Sequence, residues 1–332
     1  MRLFFKGDIM DTDKLLEILI SSGDYVSGQA LAQQLGVSRQ AVWKGVGALR
    51  DNGCEIASVT NRGYMLKSLP QTLSEAAVRA SLNTGLLGKN LIVLDSVDST
   101  NNVLKRMGAE GCPSGTTVAA HEQTCGKGRL GRKWESTRDD NLYFSLLLRP
   151  TFAPAEASAV TPLAGLAVCK ALREFTGLDC RIKWPNDIIV GKKKLVGILT
   201  EMSAEFDRVE YIVTGIGINV DQALFPENIA YKATSLLLET GRHYNKNKLL
   251  AAVLKKLEEE FSESGMKLDS RVLDEYGDLC ATVGRSVTFT RGTRRISGIA
   301  VGVDRGGSLK VMLSDGSLCL VSAGEVTVQG IY

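Results

Sequence analysis

The stretch that most restricts how this chain can fold runs from His121 to Glu135: His-Glu-Gln-Thr-Cys-Gly-Lys-Gly-Arg-Leu-Gly-Arg-Lys-Trp-Glu. Gly126, Gly128 and Gly131 alternate with Lys127, Arg129 and Arg132. Glycine lets the backbone take positive φ and come close to a ligand. Long cations between glycines place strong donors around a concave backbone, as an anion requires. From Lys127 to Arg138 five cations stand against the single Glu135. Taken alone, this stretch is either an anion-binding loop or a solvated basic loop. It is not a P-loop, because no Gly-Lys-Ser/Thr closes it.

A second basic segment narrows the choice. Arg181-Ile182-Lys183-Trp184-Pro185-Asn186-Asp187 is followed by Lys192-Lys193-Lys194-Leu195-Val196-Gly197. Together the two segments resemble the biotin–protein ligases. In that family a Gly-Arg-Gly-Arg-type loop, a Lys-Trp-Pro-Asn-Asp run and a Lys-Leu-x-Gly-Ile-Leu strand occur in this order. The resemblance covers roughly residues 90 to 330. The residues before it bring the chain closer to the bifunctional form, which is also the biotin operon repressor. The fold this implies is α+β in three parts. They are an N-terminal winged helix-turn-helix over 1–68, a central mixed β-sheet with helices over 69–281, like class II aminoacyl-tRNA synthetases, and a C-terminal SH3-like barrel over 282–332.

Composition agrees. A chain of 332 residues is too long for one small core, so two or three domains are expected. No apolar run reaches the roughly 18 residues of a membrane span. Leu3-Phe4-Phe5 is too short for a signal-peptide core and is soon followed by Asp8; Met10 offers an alternative start. Seven cysteines without a C-x-x-C pair point to reduced thiols and a cytoplasmic protein, not to a disulfide frame or zinc site. Two histidines exclude a His-rich metal centre. The net charge of +3 does not by itself demand nucleic acid.

Along the chain, Leu15, Leu16, Leu19 and Ile20 have helical spacing. Ser27 reads as the N-cap of a short helix ended by Gly36, and Ser38 as the cap of a second over Arg39–Asn52. Ala30, Leu35, Val37, Val42 and Leu49 form the expected core. Strands at 54–59 and 63–66 flank Thr60-Asn61-Arg62-Gly63, completing a wing. The second helix suits a major groove, with Ser27, Ser38, Arg39, Gln40, Trp43 and Lys44 as candidate DNA contacts and Arg62 on a phosphate. A winged-helix interaction module that touches no DNA is the alternative, because residues 1–67 hold eight basic and seven acidic residues. Gly45 and Gly47 are unusual inside a recognition helix, each costing about 1 kcal/mol relative to Ala. Close approach of another backbone would explain one of them.

Lys67–Pro70 reads as a linker and 73–81 as a short helix. Further strands are expected at 91–94, 116–121, 141–149, 181–184, 187–190, 194–202 and 209–216. Strand 141–149 alternates Leu142, Phe144, Leu146 and Leu148 with Tyr143 and Ser145. Helices are expected at 155–174, Pro162 notwithstanding, and at 246–261, where Leu249, Leu250, Val253, Leu254, Leu257 and Phe261 share a face. From Val283 onward, short strands are separated by glycine turns.

The resemblance also implies a chemistry and a site. ATP and biotin are the substrates, with Mg²⁺ as counter-ion of ATP. The biotin carboxylate attacks the α-phosphate to give biotinyl-AMP. A lysine of the biotin carboxyl carrier protein then takes the biotin. The carboxylate is already ionised at neutral pH, so the obstacle is bringing two anions together. Ser99, Thr100, Asn101 and Gln123 would meet the biotin head; a helix N-cap cluster is the local reading of the first three. Lys127, Gly128 and Arg129 match the ligand-covering loop, with Lys127 where the family usually has Arg, so a point charge stands there in place of a bidentate fork. Lys194 matches a lysine that reaches carboxylate and phosphate, so Lys194, Arg129 and Asp187 are the catalytic candidates. Gly197, Gly215 and Gly217 match glycines beside biotin. Arg132 and Asn219 would lie near the nucleotide. Trp134 either stacks on adenine or sits in the core. Asp187 is a turn residue, a Mg²⁺ contact or the acceptor of the incoming lysine's proton. Cys125 reads as a bystander thiol. No protein-held metal and no membrane partner are expected; operator DNA is, together with a homodimer formed when biotinyl-AMP is bound. Two alternatives remain at this point: a biotin-sensing transcription factor with a degenerate ligase domain, and a lipoate or octanoyl ligase, against which the Lys-Trp-Pro-Asn-Asp run argues.

Overall fold

The computed structural model describes residues 10–322, 324 and 326–332; Leu3–Phe5 and Asp8 lie outside the described residues. The chain divides into two compact units, Met1–Ser81 and Leu82–Tyr332.

In the first unit, α1 (Thr12–Ser22) is capped by Asp11 and ends at Gly23 in the left-handed region. Next come α2 (Gly28–Leu35) and α3 (Arg39–Asp51), whose caps Ser27 and Ser38 accept the Ala30 and Ala41 N–H groups at 3.1 Å each. An antiparallel hairpin of β1 (Glu55–Val59) and β2 (Gly63–Ser68) forms the wing. Leu15, Leu16, Leu19, Leu31, Ala32, Val42, Val46, Leu49 and Ile56 build the core. Leu35 and Val37, expected inside, are only partly buried. Gly45 has a packing reason: a Cβ there would lie 2.9 Å from Met10 and 3.0 Å from Leu15 side-chain atoms. The close neighbours are therefore side chains, not the backbone the sequence suggested. Nothing in the structure requires Gly47.

The unit does not end at the expected boundary after residue 68. Helix α4 (Glu75–Ser81) belongs with it, burying Ala77 and Val78 and pairing Arg79 with Asp13 at 3.6 Å. An amphipathic turn this short needs a neighbour to cover its apolar side, and α1 provides one.

The second unit is organised by a seven-stranded mixed sheet. Its strands are β3 (Leu91–Val97), β4 (Thr117–Gln123), β5 (Leu142–Leu148), β6 (Cys180–Lys183), β7 (Asp187–Val190), β8 (Lys193–Ala204) and β9 (Val209–Ile218). Their order is β3-β4-β5-β9-β8-β7-β6, parallel only between β3 and β4. All seven residues of β5 are buried, so the alternation in its sequence does not mark a solvent face. Both sides are covered. Helix α5 (Thr100–Ala109) packs on one through Leu104, Val118, Leu147, Tyr211 and Val213. Helix α6 (Val160–Thr176) lies against the other, where Thr161 meets Thr200 at 2.9 Å.

The expected helix from 155 to 174 starts as a 3-10 turn over Pro154–Ala159. Pro162 then falls in the first turn of α6, where a missing N–H removes no intrahelical bond. Pro154–Thr176 is also apolar enough by length and composition to cross a membrane, which the sequence reading overlooked; most of it is buried inside this unit. Two short helices, α7 (Glu227–Ala230) and α8 (Leu236–Thr240), lead to α9 (Lys246–Glu263). The apolar stripe of α9 is buried as its spacing predicts, and it packs against α6. Helix α10 (Ser270–Leu279) follows.

The last segment forms an antiparallel sheet of β10 (Ser286–Arg291), β11 (Arg294–Val303), β12 (Leu309–Met312), β13 (Leu318–Val321) and β14 (Val326–Val328), ordered β13-β12-β11-β10-β14. It is fastened to the central sheet by Trp184. The Trp184 backbone N–H donates to Thr282 Oγ1 at 3.0 Å and its indole N–H to the Gly307 carbonyl at 2.9 Å.

Candidate active site

Strand register builds the floor of the site. Lys183 pairs with Asp187, Asp187 with Gly197, Gly197 with Gly217, and Gly217 with Tyr143. Residues directly opposite in a sheet share a face. One row across five strands therefore presents two cross-strand charges, then two bare glycines, then an aromatic ring. A register shift lies between Ile188 and Ile189, so Ile189 pairs with Lys194 and Leu195 is skipped. Such a bulge re-aims a side chain. Here it turns Lys194 to the face of Asp187 while Leu195 is fully buried.

Helix α5 covers this face only in part. Beyond its N-terminus lies a pocket of about 720 Å³ that also reaches Tyr332 and the β14 segment. Seven cationic side chains line it (Lys127, Arg129, Arg132, Lys133, Lys183, Lys194 and Lys232) against the carboxylates of Glu135 and Asp187.

At the α5 end the lining is neutral and polar. Ser99, Thr100 and Asn101 are buried. Ser99 stands at the cap position but makes no cap hydrogen bond, contrary to the local reading of this run. The Thr100 N–H is instead taken by Gln123 Oε1 at 2.9 Å, and Gln123 Nε2 donates to Ser136 at 3.0 Å. The Thr100 hydroxyl lies 2.7 Å from Ser145, whose own hydroxyl donates to Asn101 Oδ1 at 2.6 Å. Asn101 Nδ2 donates to Glu201 at 2.8 Å and to the Leu199 carbonyl at 3.3 Å. Burial works against the Glu201 charge, but hydrogen bonds from Lys105 and Asn101 hold its carboxyl below the usual range. Ser145 and Glu201 were not found from the sequence. They fix the Thr100 and Asn101 side chains, and their only sequence signal was position on predicted strands.

At the cationic end Lys194 Nζ sits 2.7 Å from Asp187 Oδ1, an ion pair by distance but not aligned as a hydrogen bond. The Tyr332 hydroxyl donates to Asp187 Oδ2. Asp187 is thus a pocket carboxylate at the start of a strand, and the turn reading fails. Lys183, quoted in the motif but not singled out, places its ammonium 3.5 Å from the centre of the Tyr332 ring. Burial pushes its pKa down to about 8, with Asp187 opposing the shift.

The glycine loop bends by a means the sequence did not show. Gly126 is required by space: a Cβ would lie 2.4 Å from the Trp134 carbonyl and 2.6 Å from Ser136 Oγ. Of the rest, Gly131 and the non-glycine Leu130 adopt positive φ, 74° and 57°, whereas Gly128 has φ −115°. Arg129 crosses from the loop to donate to Asn186 Oδ1 at 2.9 Å and to the Gly324 carbonyl at 3.3 Å. Burial pushes the Arg129 pKa down, while Asp187 opposes this. Asn186 is a further missed residue, pinned to β8 through the Ile198 carbonyl at 2.8 Å. Lys127 donates to Asn102 at 2.7 Å. Trp134 lies on the floor: a Cβ on Gly217 or Gly197 would come within 2.5 or 2.6 Å of its indole. Gly215 also lines the pocket and makes room for Asn101, whose Oδ1 would lie 2.1 Å from a Cβ there. Asn219 lines the pocket with Nδ2 donating to the Thr234 carbonyl at 2.9 Å.

In the first unit Arg39, Gln40, Trp43 and Lys44 share an exposed face of α3, with Trp43 64 % exposed. Ser27 and Ser38 use their hydroxyl oxygens as helix caps. Arg50 is not free on the surface: it donates to the Ile56 carbonyl and Ser58, tying α3 to the wing. Arg62 rests over the Tyr25 ring at 4.3 Å and pairs with Asp24 at 3.6 Å.

A neutral polar shelf, a glycine floor and a ring of cations define a site for a ligand with an uncharged polar head and an anionic end, in a protein that also carries a winged helix. The comparisons agree. Residues 93–219 match the Biotin/lipoate A/B protein ligase family, 12–65 an HTH domain and 282–328 the Biotin protein ligase C terminal domain. The bifunctional ligase/repressor BirA of Bacillus subtilis is 36 % identical over 315 residues, covering 93 % of this chain and 96 % of that protein. Its Escherichia coli counterpart is 32 % identical, over 94 % and 95 %. The structure of the biotin protein ligase from Aquifex aeolicus in complex with biotin and ATP is 34 % identical, covering 73 % of this chain and 99 % of that one with a TM-score of 0.62. The chain belongs to the biotin–protein ligase family, in its bifunctional ligase/repressor form.

Proposed function

We propose that this chain joins biotin to ATP as biotinyl-5′-AMP, transfers the biotin to a lysine of the biotin carboxyl carrier protein, and represses transcription in response to biotin. The observation that carries the reading is the pocket's division into a buried polar shelf and a cationic end on a glycine floor. A biotin ureido group offers two N–H donors and a carbonyl, which Ser99, Thr100, Asn101 and Gln123 suit. Asn101 acts mainly by shaping the shelf, since its amide is already held by Ser145 and Glu201. Gly197 and Gly217 let the Trp134 indole lie flat on the sheet, which makes the indole a wall of the site rather than solely an adenine stack.

In the first step a biotin carboxylate oxygen bonds to the α-phosphorus and pyrophosphate leaves. Lys194, Lys183, Arg129 and Arg132 lessen the repulsion between the two anions and stabilise charge on the phosphoryl oxygens. Asn219 and the loop border the nucleotide. In the second step the acceptor amine attacks the acyl carbon, AMP leaves, and the amine loses a proton. Asp187 is the carboxylate in reach of that proton. Mg²⁺ would come with the triphosphate. In the structure Asp187, the carboxylate at the cationic end, is engaged by Lys194 and Tyr332.

The winged helix binds operator DNA with Arg39, Gln40, Trp43 and Lys44, and Arg62 reaches a phosphate once released from Asp24. The division of labour runs by segment: DNA binding before residue 82, catalysis in the mixed sheet, and closure of the cationic end from the segment after 282. The protein is cytoplasmic and forms a homodimer when biotinyl-AMP is bound. Incubation with labelled biotin, ATP and a carrier domain, following pyrophosphate and label on the carrier, tests the catalytic reading. Biotin-sensitive operator binding without either product would leave a sensor with a degenerate ligase domain.

A further inference from the structure

Lys183 and Asp187 are cross-strand partners at the base of a hairpin, opposite charges on one face. Partners so placed ordinarily form an ion pair. In this site they do not. Tyr332, in the segment after β14, stands between them: its hydroxyl donates to Asp187 Oδ2, and its ring carries the Lys183 ammonium 3.5 Å from the centroid. Asp187 directs its other oxygen to Lys194. The Tyr332 segment is held in turn by the bond from its N–H to the Lys192 carbonyl at 3.4 Å. Among the described residues the Lys183 ammonium therefore meets an aromatic face and no carboxylate. It is a half-buried cation on the wall of the pocket, partly desolvated and without an ion-pair partner among the described residues.

We propose that Tyr332 is a positioning residue of the ligase site, keeping Lys183 and Asp187 apart so that Lys183 stays available to the anionic phosphates of ATP. The proposal rests on the ligase reading above. A cation seated on a ring keeps its charge without a counter-ion, because the ring quadrupole attracts it but supplies no formal negative charge. A carboxylate in that place would satisfy Lys183 and would have to be displaced by each incoming nucleotide. The groups facing Lys183 are Asp187, which favours its charged form, and Lys194, Arg132 and Lys232, which oppose it.

The test compares wild type, Tyr332→Phe, Tyr332→Leu and Tyr332→Phe combined with Asp187→Asn. ATP affinity is measured by calorimetry, and kcat and KM by biotin-dependent pyrophosphate release across pH. In wild type Lys183 loses its proton near pH 8, so ATP binding should weaken above that value. Tyr332→Phe frees Asp187 to swing onto Lys183. ATP affinity at neutral pH should fall roughly tenfold, the scale of a lost hydrogen bond to a charged group. The alkaline limb should move upward, because the new ion pair raises the Lys183 pKa. Tyr332→Leu should weaken ATP binding at least as much. Adding Asp187→Asn to Tyr332→Phe should restore ATP affinity toward wild type, since the competing charge is gone. Unchanged ATP affinity and an unchanged alkaline limb in both single variants would overturn the proposal. So would a fall in kcat and thermal stability with KM for ATP intact, which is what a purely structural tyrosine would give. Wild-type ATP binding without biotin-dependent pyrophosphate release would instead overturn the ligase reading, while the calorimetry still decides the role of Tyr332.

Discussion

Asn101 Oδ1 occupies the space that a side chain at position 215 would need: a Cβ on Gly215 would lie 2.1 Å from it. Gly215 sits on β9 opposite Ser145, and Ser145 donates to that same oxygen. One missing methyl group thus lets a helix-borne amide reach the sheet and complete the polar shelf.

Gly215→Ala should therefore force Asn101 off Ser145. Overpacking of this kind costs about 1–3 kcal/mol. Thermal melting should show the loss of stability. Biotin titration should show weakened affinity with ATP affinity nearly unchanged, because the cationic end is elsewhere. Normal biotin affinity would mean the shelf does not receive the biotin head.

Lys194→Ala should abolish adenylation and leave the fold intact. Lys194 reaches the pocket through a strand bulge and faces Asp187 at 2.7 Å. Asp187 keeps the Tyr332 hydroxyl in the variant, so it is not left wholly unpartnered. Removing one preorganised cation should slow pyrophosphate release by roughly 10²–10³. Near-normal release would remove Lys194 from the mechanism.

Arg129→Gly should let the adenylate escape before transfer. The Arg129 guanidinium joins the glycine loop to Asn186 and the Gly324 carbonyl, and without it the loop loses those fastenings. Bystander proteins incubated with enzyme, biotin and ATP should then acquire biotin well above the wild-type level. Labelling confined to the carrier domain would show that Arg129 does not retain the intermediate.

Biotinyl-AMP should itself be the corepressor. Leu130 in the loop has φ 57° and is 69 % exposed, a bulky apolar side chain without cover. Ordering such a loop costs roughly 1–2 kcal/mol per residue in backbone entropy, which contacts with the adenylate offset. An ordered loop can complete a subunit interface, and a two-fold dimer presents two α3 helices to a palindrome. Sedimentation and operator binding should be compared with no ligand, with biotin and with a non-hydrolysable adenylate. Dimerisation and DNA affinity should rise with the adenylate, and operator DNA should tighten adenylate binding by the same factor. Equal behaviour in all three states would leave a ligase with an unrelated DNA-binding appendage.

Sequence alone determined what depends on neighbours a few residues apart. The Ser27 and Ser38 caps, the Gly36 helix stop and the buried stripe of α9 follow from local spacing. The order of the glycine loop, the Lys-Trp-Pro-Asn-Asp run and the Lys194 strand was enough to imply the family. Tertiary structure decided which of these residues meet. The Leu195 bulge sets the face Lys194 takes, and nothing in its own strand announces it. Arg129 meets Asn186 across 57 positions, and Tyr332 meets Asp187 across 145. Asp187 looked like a turn residue because Pro185-Asn186-Asp187 has turn composition, yet cross-strand register puts its carboxylate in the pocket. Periodicity reports the face a residue takes within its own element. Which charge stands opposite it depends on strand order and register, and those are set by the packing of the whole sheet.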